Sequence, residues 1–173
     1  PLGSVGVPLP GIELRLVDAD GSDVLVGDAG ELWVRGPNVF TGYWEDDEAT
    51  ARVVTPEGWL RTGDIAVVDD DGYLFIVDRA KDLVIVSGFN VYPAEVEEVL
   101  AQHPAVQDCA VVGVPHPYTG EAVKAYVIVR DGISIEEDDV VAFCAERLAR
   151  YKCPNKVWFV DELPRGLTGK VLR

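Results

Sequence analysis

The chain has 173 residues, 48% of them hydrophobic, enough apolar material for one or two small cores. Its 30 acidic and 15 basic residues give a formal charge of −15, a surface that repels nucleic acid and anionic lipid. No apolar run approaches the roughly 20 residues a membrane helix needs, and no basic-then-apolar leader is visible.

Pro1-Leu2-Gly3-Ser4 reads as the remnant of a tag-cleavage site and is set apart from the fold. Residues 5–78 are mostly β. In Ile12-Glu13-Leu14-Arg15-Leu16 apolar and polar side chains alternate, as in a half-buried strand. Asp20-Gly21 marks a turn. Residues 30–36 form a strand bracketed by glycines, and the acidic start of residues 45–53 points to a short helix. Residues 65–68 and 73–77 make a hairpin with Asp71-Gly72 in its turn. Short strands at this spacing predict a β-rich, barrel-like subdomain or a distorted sheet.

The pattern changes at residues 79–82, where charged side chains, too well solvated to pack a rigid junction, let the backbone turn. Residues 83–173 read as a small α+β domain with a short sheet and two or three helices. Residues 83–86 and 88–92 are extended. Pro93 opens a helix, where its missing N–H costs nothing. Val96, Val99 and Leu100 share its apolar face, and Glu95, Glu97 and Glu98 suit the positive end of its dipole. Residues 108–114 and 122–129 are strands joined by the polar loop His116-Pro117-Tyr118-Thr119-Gly120. Ser134 begins another helix, with Ser-x-x-Glu to Glu137 as a capping box. The stripe of Val140, Val141, Cys144 and Leu148 places Cys144 in the core. Residues 157–160 are the last strand. Cys109, Cys144 and Cys153 are odd in number and not closely spaced, so neither a disulfide framework nor a zinc site is indicated, and they fit a reducing cytosol. His103 and His116 lack metal-ligand spacing.

Four segments carry candidate chemistry, and each alone has an ordinary reading. Residues 30–36 with Gly42-Tyr43-Trp44 are a glycine-bounded strand and turn. In Gly58-Trp59-Leu60-Arg61-Thr62-Gly63-Asp64 the carboxylate of Asp64 either stabilises a turn or, projected at a strand end, accepts two hydrogen bonds from a ribose diol. In residues 78–97 the charges are an exposed loop or a hinge. Gly88 there is a β-bulge or a bare backbone past which a thin ligand slides. Leu163-Pro164-Arg165-Gly166-Leu167-Thr168-Gly169-Lys170 is a solvated tail, or a flexible loop presenting a lysine that neutralises charge developing on a phosphate.

In this order the four segments resemble the adenylate-forming superfamily of acyl- and aryl-CoA synthetases, luciferases and peptide-synthetase adenylation domains. The resemblance covers essentially everything after the first few residues. Val86-Ser87-Gly88-Phe89-Asn90-Val91-Tyr92-Pro93 is most similar to fatty-acyl- and related acyl-CoA synthetases. The likeness implies that residues 5–78 end a large N-terminal domain, that 79–82 are its hinge with Lys81 at the pivot, and that 83–173 are a mobile C-terminal domain. It implies that Asp64, helped by Arg79, holds the ribose of ATP and AMP, that Ser87 and Gly88 line the pantetheine path of CoA, and that Lys170 promotes adenylation. Some relatives carry an arginine where this chain has Asn90, so a phosphate-binding role is not carried over.

The implied reaction joins a carboxylic acid, a fatty acid or a relative of one, to CoA in the cytoplasm through an acyl adenylate, with Mg2+ accompanying ATP and its ligands lying upstream. The phosphate loop, the Tyr-Gly-x-Thr-Glu-like segment and the acyl pocket of the family are absent from this sequence, so the chain alone is expected to be inactive. Two alternatives stand beside this reading. The acyl group passes to a carrier protein instead of CoA, or the fragment serves only as a docking module or as the substrate of a lysine acetyltransferase acting on Lys170.

Overall fold

The computed structural model describes residues 2–167 and 169–172. Pro1 of the four-residue leader, Thr168 of the lysine segment and Arg173 lie outside them. The chain divides into two units, residues 1–81 and 82–173.

The first unit is an antiparallel meander of β1 (Glu13–Val17), β2 (Gly30–Arg35), β3 (Leu60–Val68) and β4 (Leu74–Arg79), paired in that order. A seven-residue helix, α1 (Asp47–Val53), lies between β2 and β3. The acidic start expected of it works as a cap, because the Asp46 carboxylate accepts the Ala49 N–H at 2.8 Å. The β3–β4 hairpin turns where expected. Asp69 accepts the amides of Asp71 and Tyr73, and Gly72 takes a φ of +82°. Leu32, Ala66 and Leu74 form a thin core, backed by Leu14, Leu16, Val34 and Val68.

Of the two forms expected, a barrel or a distorted sheet, the sheet is the one formed. The sheet is open, since β1 and β4 are its two outer strands and do not pair. Four strands enclose too little space to close around packed side chains. The outer edge of β4 is met instead by the start of the chain, where Gly6 bridges Leu74 and the Ser4 hydroxyl donates to Leu74 O at 3.0 Å.

The second unit has a five-stranded mixed sheet made from β5 (Val84–Val86), β6 (Phe89–Val91), β7 (Val106–His116), β8 (Gly120–Val129) and β9 (Lys156–Phe159). The long β7–β8 hairpin is its spine. One edge of β8 pairs with β7, and the other meets β5 near Gly120 and β9, in parallel, at Lys124 to Val127. Helix α2 (Pro93–Ala101) has Pro93 in its first turn and buries Val96 and Leu100 completely. Helix α3 (Glu137–Ala145) buries Val140 and Cys144. With Val84, Val91, Val111, Val123, Val127 and Val157 these residues form one core, and each such side chain contributes about 1.5–3 kcal/mol by leaving water. Burial, with Cys153 nearby, pushes the Cys144 thiol up to about 11, in keeping with a core residue.

Ser134 does not cap α3. The cap is Glu136, whose carboxylate meets the third helical residue while Asp139 accepts the Glu136 N–H at 3.3 Å. The acidic run supplies a reciprocal pair closer to the helix than Ser134, so the helix starts later. Leu148 accordingly lies beyond α3 and packs on the core from the segment that follows. Two single 3-10 turns, Ala80–Asp82 and Arg150–Lys152, are too short to leave a periodic signal. Among the described residues no helix is long and apolar enough to cross a membrane.

Candidate functional site

Asp64 lies within β3 rather than at a strand end. Between the pairs Trp33↔Arg61 and Glu31↔Ile65, three residues of β3 (Thr62, Gly63 and Asp64) face the single residue Leu32. Gly63 takes a φ of +72°, open to glycine at no steric cost. The Thr62 hydroxyl donates to Leu32 O at 2.8 Å and accepts the Asp64 N–H at 3.1 Å. This bulge re-aims Asp64. On its other side Asp64 is the register partner of Arg79, and the two side chains form an ion pair at 2.8 Å. Their side chains are 27% and 55% exposed, so a carboxylate of fixed direction still faces solvent. Sequence reasoning missed Asp78, a buried acid whose carboxylate accepts the Arg79 N–H at 2.8 Å. Its neighbours in the sequence gave no hint that it would be buried. Lys81 is exposed in the 3-10 turn at the end of the first unit.

Ser87 and Gly88 are the two central residues of the β5–β6 hairpin, between the paired residues Val86 and Phe89. Both have positive φ, +51° and +84°, the signature of a type I′ turn. Gly88 is therefore not a bulge. A Cβ built on it meets nothing within 4 Å, so backbone conformation, not crowding, calls for glycine. Two bonds fasten the turn to the rest of the sheet. Ser87 N–H donates to Thr119 O at 2.8 Å, and Ile85 N–H donates to the Glu121 carboxylate at 2.6 Å. Phe89 stacks on Tyr151 with ring centroids 4.6 Å apart. Beside the turn an open cleft of about 450 Å³ is lined in part by Ser87, Thr119, Arg150, Tyr151, Cys153 and Asn155. Burial raises the Cys153 thiol pKa.

Lys170 is exposed on a loop whose described residues are joined by internal bonds. Arg165 bridges Val171, Gly166 N–H donates to Lys170 O at 2.8 Å, and Gly169 N–H donates to Gly166 O at 2.9 Å. Arg165 also pairs with Asp108 near the start of β7.

The structure brings Asp64 and Arg79 together but keeps the turn and the lysine loop apart. Ser87 is fastened beside Thr119, at the turn end of the β7–β8 hairpin. Arg165 is fastened to Asp108, which pairs with Ile128 at the open end. From Gly120 to Ile128 strand β8 rises about 27 Å, at ~3.4 Å per residue. Among the described residues no three His, Cys, Asp or Glu side chains gather into a metal site.

Two family models match the chain, the AMP-binding enzyme model over residues 1–44 and the AMP-binding enzyme C-terminal domain model over residues 95–170. A long-chain-fatty-acid–CoA ligase of Escherichia coli O157:H7 is 53% identical over 171 residues, which is 99% of this chain and 30% of that protein. A feruloyl-CoA synthase of an Amycolatopsis species is 48% identical, over 99% of this chain and 35% of that protein. The crystal structure of ATP-bound MatB from Rhodopseudomonas palustris matches 98% of this chain and 34% of its own, with a TM-score of 0.91 and 45% identity. The chain spans about a third of the length of each of these relatives. With both models matching in order and whole-chain identities near 50%, the chain belongs to the AMP-binding, adenylate-forming enzyme superfamily.

Proposed function

We propose that the longer protein carrying this chain is an ATP-dependent acyl-CoA synthetase. It converts a carboxylic acid, ATP and CoA to acyl-CoA, AMP and pyrophosphate through an acyl adenylate, with fatty or related acids as substrates. In the first half-reaction the acid's carboxylate attacks the α-phosphorus of ATP and pyrophosphate leaves. Lys170 neutralises the charge gathering between the two groups. Asp64, oriented by Arg79, accepts the ribose hydroxyls. In the second half-reaction the CoA thiol attacks the acyl carbonyl and AMP leaves, with the pantetheine arm running past Ser87 and Gly88.

The observation that carries this reading is the separation of the two loops along one hairpin. Two loops attached about 27 Å apart along one hairpin are poorly placed to serve one reaction centre in a single pose. A swivel at Lys81, where the first unit ends, lets each take its turn, as hinged domains do. Mg2+ accompanies ATP and would be held by residues of the longer protein, since no cluster of three metal-ligating side chains occurs among the described residues. The three free cysteines suit a reducing cytoplasm.

The test supplies the full-length protein with ATP, CoA and a long-chain fatty acid. Acyl-CoA and AMP in equal amounts are expected. Acyl adenylate that persists until a phosphopantetheine carrier protein is added favours the carrier reading. Absence of AMP with every acid offered contradicts adenylation itself.

A further inference from the structure

Among the described residues the lysine loop carries internal bonds, and the side chain of Arg165 ties it to the sheet. Arg165 Nη1 donates to Gly169 O at 2.6 Å, the carbonyl immediately before the Lys170 amide, while Nη2 donates to Asp108 Oδ2 on β7. Asp108 is itself held, since its other oxygen accepts the Cys109 N–H at 2.9 Å. Leu163 is buried just upstream, so the chain is anchored on the near side of the loop and clamped by the guanidinium on the far side. A planar fork suits this task, because its two nitrogens reach a carbonyl and a carboxylate at once.

We propose that Arg165 is a positioning residue for Lys170. Clamped by Asp108, it fixes the peptide that carries the lysine, and with it the direction from which the ammonium approaches the reacting phosphate. The proposal rests on the role given to Lys170 above.

The experiment uses the full-length enzyme and reads the half-reactions separately, as carboxylate-dependent ATP–pyrophosphate exchange and as acyl-CoA formation from supplied acyl adenylate. Arg165→Ala lowers kcat for exchange about 10- to 100-fold, the scale of a misplaced catalytic group. It leaves the KM for ATP and the second half-reaction within about twofold, because neither depends on a transition-state contact made by Lys170. Asp108→Asn lowers exchange in the same way, and the double variant is no worse than Arg165→Ala, because both remove one coupled contact. Arg165→Lys recovers part of the rate, since one ammonium lacks the fork. Normal exchange in Arg165→Ala beside loss in Lys170→Ala overturns the proposal and leaves the function intact. Equal slowing of both half-reactions with a lowered Tm overturns it too, by showing a general structural role. Normal exchange in Lys170→Ala removes the functional reading on which the proposal stands.

Discussion

The Ser87-Gly88 turn and the Lys170 loop belong to one sheet but are held by different forces. The turn lies inside a hairpin, an amide of Ser87 ties it to the backbone of the β7–β8 turn, and the Ile85 N–H adds one bond to the Glu121 carboxylate. The loop is tied to the sheet by an ion pair between Arg165 and Asp108, whose side chains are 48% and 34% exposed. The strand leading into it, paired with β8, carries another ion pair, in which Glu137 grips Lys156 at 2.6 Å and accepts the Val157 N–H at 2.9 Å. Backbone ties persist in salt and acid, whereas exposed charge pairs are screened and titrated. The lysine-loop end of the second unit thus leans more on exposed charge, and the Ser87-Gly88 end more on backbone pairing.

An effect larger than those of salt or acid comes from Gly88. Alanine at a φ of +84° costs about 1–2 kcal/mol of stability, with no clash, because its Cβ meets nothing. Asparagine tolerates the left-handed region and restores most of that stability in denaturant unfolding. If the bare backbone serves pantetheine, asparagine still slows acyl-CoA formation from acyl adenylate by about tenfold or more, the effect of blocking a positioned approach. Recovery of both properties by asparagine would mean that Gly88 serves the fold alone.

A smaller effect is expected from salt. Raising ionic strength from 0.1 to 1 M shortens screening from about 10 Å to 3 Å. Amide exchange at Gly166 and Gly169 then quickens a few-fold while the Ser87 amide is unchanged. Equal responses would erase the contrast between the two regions.

The smallest effect is expected from acid. The Lys156 ammonium first, and then the Val157 N–H, hold the Glu137 carboxyl below its ordinary 4.5. A depressed carboxyl stabilises the fold fully above its unfolded value, and that contribution is lost as pH falls through the lowered folded value. Val157 amide protection should therefore hold down to about pH 4.5 and decline below it, before that of Ser87.

What was legible in the sequence was local. Pro93 started a helix, Asp71-Gly72 turned a hairpin, and the stripe through Val140 and Cys144 found the core, each within a few neighbouring residues. What was not legible depended on partners far along the chain. Arg165 meets Asp108 across 57 residues, and nothing in the Pro-Arg-Gly segment announces that contact. The bulge at Asp64 needs the carbonyl of Leu32, 30 residues from Thr62. The missing barrel closure is also a long-range matter, since strand spacing records how many strands exist and not whether the outer two meet. Ser134 misled for a local reason, because two cap signals competed and the one nearer the apolar stripe prevailed.

The most direct measurement crosses two variants with two half-reactions in the full-length protein. Lys170→Ala should lose about 10²–10³ in acyl-adenylate formation and still convert supplied acyl adenylate to acyl-CoA, while Gly88→Ala should show the reverse. If both variants slow the same half-reaction, or if Lys170→Ala forms acyl adenylate at the normal rate, one lobe with two alternating ends is the wrong description.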